Sequence, residues 1–329
     1  MEILFQHPLF KPLVLTAVLI CAFPLLAGYI VLLERKLLGD FQVRLGPMRV
    51  GPHGLLQPLA DAVKLLTKED TIPEDSDKTM FWLGPVISTF TALTSFCVLP
   101  FSSLVHVADV NVGLLVISAM SGVGIIGIIL GGWSSNSHYP LLGSLRSAAQ
   151  LVSYEVALGL ALISGVMMAG TLSLVEIVEA QRSVPFALLQ PLGFVIFLIA
   201  GIAETNRIPF DLPEAEGELG AGYHTEYSAM GFGIFQLAEY AAIWTISALA
   251  ATLFLGGWQG PGAGTVAGLS LLYFFAKSIL FVLMFYWLRG TLPRLRYDQL
   301  MAFGWKVLLP LSLLNLLWVA AVTAWRAQA

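Results

Sequence analysis

The chain has 329 residues, of which 57% are hydrophobic and 12% are charged, and its formal net charge is −4 at pH 7. A soluble domain carries about 25% charged residues, so this composition excludes an ordinary soluble enzyme; the high hydrophobicity also excludes a disordered chain. The net negative charge gives no indication of a nucleic-acid partner. We therefore expect the chain to consist of several membrane spans of roughly 20 apolar residues each.

Eight apolar segments predict transmembrane helices, and the fold class is predicted to be an all-α integral membrane protein. A helix satisfies its own backbone groups inside a bilayer, and none of the segments alternates as the strands of an outer-membrane barrel do. The first is expected to be a span and not a cleaved signal. We interpret residues 1–329 as a single membrane domain. The predicted spans are about 12–33, 84–104, 113–132, 151–170, 187–205, 233–256, 268–288 and 305–325.

The basic residues are distributed unevenly among the connections. With eight spans, 13 of the 17 Lys and Arg residues fall on one side of the membrane, and the other side holds only Lys11, Arg182 and Arg326. Cytoplasmic loops carry the excess of basic residues, so we predict a bacterial inner (plasma) membrane protein with both termini in the periplasm. The cytoplasmic connections are long and chemically dense, which suggests that a partner docks there. They comprise residues 34–83, 133–150, 206–232 and 289–306.

The first cytoplasmic connection contains an amphipathic segment from Gly54 to Thr67. This pattern predicts a helix that lies in the membrane plane at the interface, and the alternative is an ordinary amphipathic helix packed against protein. Its apolar face is formed by Leu55, Leu56, Leu59, Ala62, Val63 and Leu66, and its polar face by Gln57, Asp61, Lys64 and Lys68.

Four ionisable residues fall inside the predicted spans: Glu155, Glu204, Glu239 and Lys277. A charge at the centre of a membrane helix costs about 2.5–3.5 kcal/mol on insertion scales, so such residues usually face a bundle interior and serve a function. Buried carboxyl groups can gain and lose protons near neutral pH, and a series of them can form a proton relay. The structural alternative is that Glu155 or Glu239 is a static partner of Lys277, or lies near a helix end in headgroup water.

The connection after residue 204 is the most acidic part of the chain. Its carboxylates are opposed by Arg207 alone, yet it also contains Phe210, Leu212, Tyr223 and Tyr227. This mixture predicts a loop buried against another surface, with carboxylates that share protons; a solvated acidic loop and a cation site are the alternatives. The acidic residues are Glu204, Asp211, Glu214, Glu216, Glu218 and Glu226.

No cofactor motif is present. The two cysteines lie far apart inside apolar segments, and there is no C-x-x-C, P-loop, H-E-x-x-H or haem-type spacing. The pairs Gly122–Gly124 and Gly131–Gly132 predict close helix packing. We therefore expect this chain to bind no metal or prosthetic group by itself.

Four groups of motifs resemble the H subunit of bacterial NADH:quinone oxidoreductase (respiratory complex I), which corresponds to mitochondrial NADH dehydrogenase subunit 1. The resemblance covers essentially the whole chain, and the motif that begins at Ala203 is the most specific. The matching segments are 34–47 with 50–64, 132–137 with 145–155, 203–216 with 222–228 and 237–240, and 291–301 with 304–306.

This resemblance implies a membrane subunit with no complete active site of its own. In the family, the subunit joins the membrane arm to peripheral-arm subunits that carry the quinone-reduction site and the last iron–sulfur cluster. A quinone substrate enters from the bilayer through a tunnel in this subunit, and buried glutamates couple its reduction to proton translocation. Membrane lipid and other membrane-arm subunits are the remaining expected partners, and FMN and the iron–sulfur clusters are expected in partner subunits.

The resemblance also implies roles for individual residues. With Lys277 added as the basic residue of a span, the proton-path candidates are Glu34, Glu155, Glu204, Glu214, Glu216, Glu218, Glu226, Glu239 and Lys277. Candidates for the quinone tunnel and the peripheral-arm interface are Lys36, Gln42, Arg44, Asp61, Lys64, Arg207, Phe210, Asp211 and Arg294.

The chain departs from the family pattern at a few positions. Met48, Ala229 and Gly290 stand where Asn, Gly and Ala are usual, and residues 113–132 contain no acidic residue although some members have one there. The runner-up interpretation is the equivalent subunit of a membrane-bound hydrogenase or formate hydrogenlyase. A stand-alone transporter would be supported by broken helices and a repeated half, neither of which the sequence indicates, and a passive anchor for a peripheral enzyme would tolerate neutralised glutamates.

Overall fold

A computed structural model of the chain describes residues 10–102, 105–107, 110–212, 220–262 and 267–328. Every regular element in these ranges is helical. Short 3-10 turns occur at Pro52–Gly54 and Gly222–His224, and a π-helical turn at Gly304–Leu308 joins two helices. In chain order the helices are α1 (Phe10–Phe41), α2 (Gln57–Thr67), α3 (Lys78–Val98), α4 (Gly113–Ser134), α5 (His138–Ala169), α6 (Leu174–Ala180), α7 (Phe186–Leu189), α8 (Pro191–Glu204), α9 (Ala229–Phe254), α10 (Ala267–Thr291), α11 (Tyr297–Phe303) and α12 (Leu309–Gln328).

Within the described ranges, seven helices are long and apolar enough to cross a membrane, namely α1, α3, α4, α5, α9, α10 and the continuous α11–α12 helix. This confirms the predicted all-helical, multi-pass class. The prediction of one uninterrupted helix over 187–205 is wrong, because α7 ends at Leu189 and α8 begins at Pro191. Proline lacks the amide proton that a helix interior requires and disfavours helical geometry in the preceding residue, here Gln190 at φ −134°. The chain therefore does contain a broken apolar helix, which its sequence did not indicate.

Several helices extend beyond the predicted spans. The connection 133–150 was expected to be a loop, but α5 begins at His138 and continues through it. The segment 297–308 is likewise helical and runs into α12. Hydropathy detects only the part of a helix that lies in apolar surroundings, so polar turns at its ends were assigned to the connections.

Helix α9 is the centre of the bundle. Of an apolar 18-residue stretch of this helix, 83% is buried, and the helix contacts α1, α2, α3, α6, α8 and α10. A helix surrounded on all sides is apolar all round, which explains why α9 shows no single hydrophobic stripe. Its carboxylate, Glu239, is therefore carried into the interior of the protein.

Helix α2 confirms the predicted amphipathic helix. It begins at Gln57 and contacts α1 and α9 through one side, where Leu65 lies against Gly233. The predicted apolar face points away from the protein, with Leu59 60% exposed and Leu66 67% exposed.

Close glycine packing joins α3 to α4. A Cβ atom on Gly127 would lie 2.9 Å from the backbone oxygen of Gly84 and 3.0 Å from the amide nitrogen of Ser88. A Cβ atom on Gly131 would lie 2.8 Å from the ring of Phe235 on α9. The predicted packing role of the glycines on α4 is thus confirmed for Gly131.

Replacing Gly127 by Ala is expected to destabilise the protein by about 1–3 kcal/mol, because the new methyl group overlaps the backbone of α3. Thermal inactivation of the purified complex measures the change. The same substitution at Gly159 is the matched control, because a Cβ atom there meets nothing within 4 Å. Equal midpoints for Gly127→Ala and Gly159→Ala would contradict the close approach of α3 and α4.

Candidate functional site

A cavity of about 130 Å³ lies between α3, α4, α5, the end of α8 and α9. Three of the predicted carboxylates line it together: Glu155, Glu204 and Glu239. We call it the glutamate chamber. The lining is mainly apolar but also includes polar side chains, namely Ser88, Thr91, Ser95, Ser121, Thr205, Asn206, Tyr223 and Thr245. The sequence placed these glutamates in separate spans, and the fold brings them to one space.

Ser121 of α4 contacts one of the carboxylates. Its hydroxyl donates to Oε1 of Glu155 at 3.3 Å, and both residues line the chamber together with Glu204. Oε2 of Glu204 is buried and accepts no hydrogen bond from the described part of the chain. Two ionised carboxylates at such a site would repel each other, so the charge on one responds to the charge on the other.

The third carboxylate of the chamber is held by a cation and a phenol. The side chains of Arg207 and Glu239 are only 7% and 12% exposed, and Nη2 of Arg207 lies 3.4 Å from Oε2 of Glu239. The hydroxyl of Tyr223 donates a hydrogen bond to Oε1 of the same carboxylate. The Arg207 guanidinium also lies over the ring of Tyr240, 4.7 Å from its centroid. Removing one member of such a pair leaves a buried charge without its partner.

A buried glutamine fixes the chain where it leaves α8. Nε2 of Gln150 donates to the backbone oxygens of Ala203 and Phe210, both at 2.8 Å, and lies 3.2 Å from Oδ1 of Asn206. Gln150 has no exposed surface. Although it belongs to a segment that resembles the family, the sequence offered no separate signal that this amide positions the loop carrying Arg207.

The aromatic and apolar residues of the acidic connection are buried, as predicted. Phe210 packs against Tyr154 with ring centroids 5.4 Å apart, and Tyr227 stacks on Phe81 at 4.0 Å. The Tyr227 hydroxyl donates to the backbone oxygen of Phe81 at 2.7 Å, and its burial raises the pKa of this phenol above its usual range. The loop is therefore anchored to the bundle by its rings. Phe210, a candidate for the tunnel mouth, lines neither this cavity nor the next.

A second cavity of about 510 Å³ lies between α1, α2 and α9, and we call it the lateral cavity. Its lining is mainly apolar, with a polar cluster at Arg35, Gln57, Asp61 and Lys64. Asp61 lies 2.8 Å from Nη1 of Arg35, 3.1 Å from Nε2 of Gln57 and 3.8 Å from Nζ of Lys64. Two predicted tunnel residues, Asp61 and Lys64, thus line one cavity.

Helix α9 is the wall between the two cavities. Glu239 lines the glutamate chamber, and the next residue, Tyr240, lines the lateral cavity. Arg207 contacts both residues, because it forms an ion pair with Glu239 and lies over the ring of Tyr240. A short series of contacting side chains, Tyr240, Arg207 and Glu239, thus runs between the two cavities.

Glu34 lies apart from the chamber. It is 3% exposed and forms an ion pair with Arg289 of α10, a residue that was not among the candidates. Lys36 donates to the backbone oxygen of His53, and Nε of Arg44 donates to Gln42 at 2.6 Å. These residues lie along the end of α1 and the connection that follows, outside the linings of both cavities.

The remaining candidates are dispersed. Arg294 donates to the backbone oxygen of Leu212 at 3.3 Å, and Asp211 and Glu226 line neither cavity. Glu214, Glu216 and Glu218 lie outside the described residues.

Among the residues that the structure places, Lys277 contacts backbone oxygens and no carboxylate. Its ammonium donates to the backbone oxygens of Leu255, Gly257 and Gln259 at 2.7–2.9 Å. An ammonium has three donors, and these three contacts use them all. The structural alternative in which Lys277 pairs with Glu155 or Glu239 is therefore wrong. Within the ranges that the structure describes, no group of three or more His, Cys, Asp or Glu residues could hold a metal ion.

Comparison with known proteins agrees with these features. Residues 13–320 match the model of a family described as NADH dehydrogenase. The chain is 51% identical to an H subunit of NADH-quinone oxidoreductase from Solibacter usitatus, over 96% of this chain and 97% of the relative. It is 53% identical to the protein of the same name in Syntrophobacter fumaroxidans, over 92% and 93%. It is 56% identical to the H subunit of NADH-quinone oxidoreductase from Dehalococcoides mccartyi, over 86% and 79%.

Replacing Gln150 by Leu is expected to cost about 1–3 kcal/mol in total, because it removes hydrogen bonds to two buried backbone oxygens. A lower midpoint of thermal inactivation of the purified complex measures the loss. Gln190→Leu is the matched control, because Gln190 is equally buried and its amide forms no hydrogen bond within the described ranges. If both variants lost stability equally, the hydrogen bonds of Gln150 would not be what holds this loop.

Proposed function

The chain belongs to the NADH dehydrogenase family, as an H subunit of NADH-quinone oxidoreductase. On this premise we propose that it couples quinone reduction on one side of α9 to proton translocation on the other side. The observation that carries the proposal is the position of Arg207, which contacts Glu239 in the glutamate chamber and Tyr240 in the lateral cavity. In this proposal the lateral cavity admits the quinone, and the glutamate chamber takes up and releases protons.

The lateral cavity has the properties of a quinone-access tunnel. It is large, mainly apolar and bounded by α2, whose exposed leucines lie beside it. A quinone with a long isoprenoid tail needs an apolar path that begins in the bilayer, and an interfacial α2 would form one side of its opening. The polar cluster around Asp61 would meet the quinone headgroup and not its tail.

The coupling we propose is electrostatic. Quinone reduction consumes two electrons and two protons, and the electrons come from the iron–sulfur clusters expected in the peripheral-arm subunits. A change of charge near Tyr240 alters the potential at Arg207 and Glu239, because charges in a poorly solvated interior interact strongly over a few ångströms. Protons then move among Glu239, Glu204 and Glu155 as the balance of charge changes. Glu214, Glu216, Glu218, Glu226 and Glu34 belong to the proposed path on the family resemblance.

We also propose the orientation of the chain. Exposed aromatic side chains that suit one membrane interface occur at the ends of α4 and α10, at the start of α5 and on the π-helical turn before α12; they are Trp133, Trp287, Tyr139 and Trp305. The basic connections lie at this end, which we assign to the cytoplasm and to the peripheral-arm interface. Lys36, Gln42, Arg44, Asp211 and Arg294 are the proposed interface residues. The broken segment α7–α8 would supply an eighth crossing and place both termini in the periplasm.

Glu204→Gln is expected to lower the number of protons pumped per NADH oxidised while the complex still assembles, because the amide cannot carry a proton between neighbours. Proton uptake into proteoliposomes, measured against NADH oxidation, gives this ratio. The matched control is Glu179→Gln, since Glu179 is exposed on α6 and pairs only weakly with Arg182 at 3.5 Å. An assembled Glu204→Gln complex with the unchanged ratio would refute the proposed role of the chamber.

Leu65→Trp is expected to raise the KM for quinone by roughly tenfold, equivalent to about 1.4 kcal/mol, because the larger ring occupies the lateral cavity. Initial rates over a range of quinone concentrations measure it. Leu59→Trp on the same helix is the control, because Leu59 is 60% exposed and lines neither cavity. If the KM stayed constant in a normally assembled Leu65→Trp complex, the quinone would have to enter by another route.

A further inference from the structure

The connection after α9 is held from one side by α10. Lys277 donates to three backbone oxygens of this connection, those of Leu255, Gly257 and Gln259, at 2.7, 2.9 and 2.7 Å. One turn earlier on the same face of α10, the hydroxyl of Tyr273 donates to the backbone oxygen of Pro261 at 2.9 Å. We call this set of contacts the carbonyl clamp.

The same connection also contacts α6 and Gln181, the residue that follows α6. Oε1 of Gln181 accepts a hydrogen bond from the amide of Gly256 at 3.0 Å, and its Nε2 donates to the backbone oxygen of Thr252 at 2.8 Å. Nε2 of Gln259 donates to the backbone oxygen of Val178 at 2.5 Å. The end of α9 is therefore fastened to two neighbouring elements through its backbone.

A tightly packed segment of α9, which we call the seal, lies between the clamp and the glutamate chamber. The chamber lining ends on α9 at Thr245 and Ile246, and the residues from Ser247 to Phe254, all apolar except Ser247 and Thr252, are at most 1% exposed. Phe101 extends the seal, with its ring centroid 5.4 Å from those of Phe96 and Phe274. Phe274 is on α10, one turn before Lys277, so the helix that carries the clamp also carries part of the seal.

We propose that Lys277 is a positioning residue that keeps this seal closed, so that the chamber has no proton path to the end of α9 opposite the acidic connection. This inference rests on the proposed proton-carrying role of the chamber. The ammonium complements the negative C-terminal end of the α9 dipole and donates to three backbone oxygens beside the seal. Because all three donors of the ammonium are bound to backbone oxygens, Lys277 holds the backbone in place and carries no protons.

The experiment uses the complete complex in proteoliposomes with turnover blocked, and it measures the passive decay of an imposed pH gradient. Lys277→Met removes the clamp and is expected to speed this decay several-fold. Gln259→Ala is expected to act in the same direction, because it loosens the same connection without changing any titratable group. Lys306→Met, at an exposed position on the π-helical turn, is the matched control and is expected to leave the decay unchanged.

Lys277→Arg separates a clamp from a proton carrier. Arginine can donate to backbone oxygens but does not release its proton, so the clamp predicts a tight membrane and normal pumping in this variant. Normal tightness with pumping abolished would assign Lys277 to the proton path and overturn the clamp. Wild-type decay rates in both Lys277→Met and Gln259→Ala would also overturn it.

The outcome is independent of the test of the chamber's role in pumping. The decay is measured without turnover, whereas Glu204→Gln is judged by protons pumped per NADH. A leaking Lys277→Met complex beside an unchanged Glu204→Gln ratio would leave the seal standing and refute coupling through the chamber. The reverse pair of results would leave the coupling standing and refute the seal.

Discussion

The ion pair between Arg207 and Glu239 is the interaction on which the arrangement of the interior depends. Both side chains are almost fully buried, and a buried charge is stable only beside partners that compensate for its lost hydration. Glu239 lies on the most buried helix, where its charge needs a cation nearby. The connection after α8 folds back against the bundle and places Arg207 beside it. Gln150 fixes that return, and Tyr223 completes the hydrogen bonding of the carboxylate.

The sequence was sufficient to predict the helical class, the buried glutamates and the buried rings of the acidic connection. These features are local, because a charge in an apolar segment and an aromatic residue among carboxylates can be recognised where they stand. The sequence could not show which groups meet. Ser121, Gln150 and Arg289 lie far along the chain from the residues they contact, and each resembles an ordinary helical residue until the helices are packed.

One prediction and one structural alternative were wrong for a common reason. The segment 187–205 has the hydropathy of a span, but Pro191 interrupts its backbone hydrogen bonding, which hydropathy does not measure. Lys277 was given a carboxylate as its alternative partner, whereas its partners are backbone oxygens. Backbone groups are the same in every residue, so the sequence carries no direct sign of where they gather. Inside a bilayer, backbone oxygens and carboxylates are alternative acceptors for an ammonium, and in this protein Lys277 binds the backbone oxygens.

The position of α9 as the common wall has a geometric consequence. Its residues line different cavities. Phe235, Ala238 and Glu239 line the glutamate chamber, whereas Ile234, Gln236 and Tyr240 line the lateral cavity. The two volumes are therefore reciprocal: a sideways displacement of α9 that widens one narrows the other. A molecule bound beside Tyr240 would therefore reduce the volume around Glu239. Binding in the lateral cavity would change the volume of the glutamate chamber as well as its electrostatic potential.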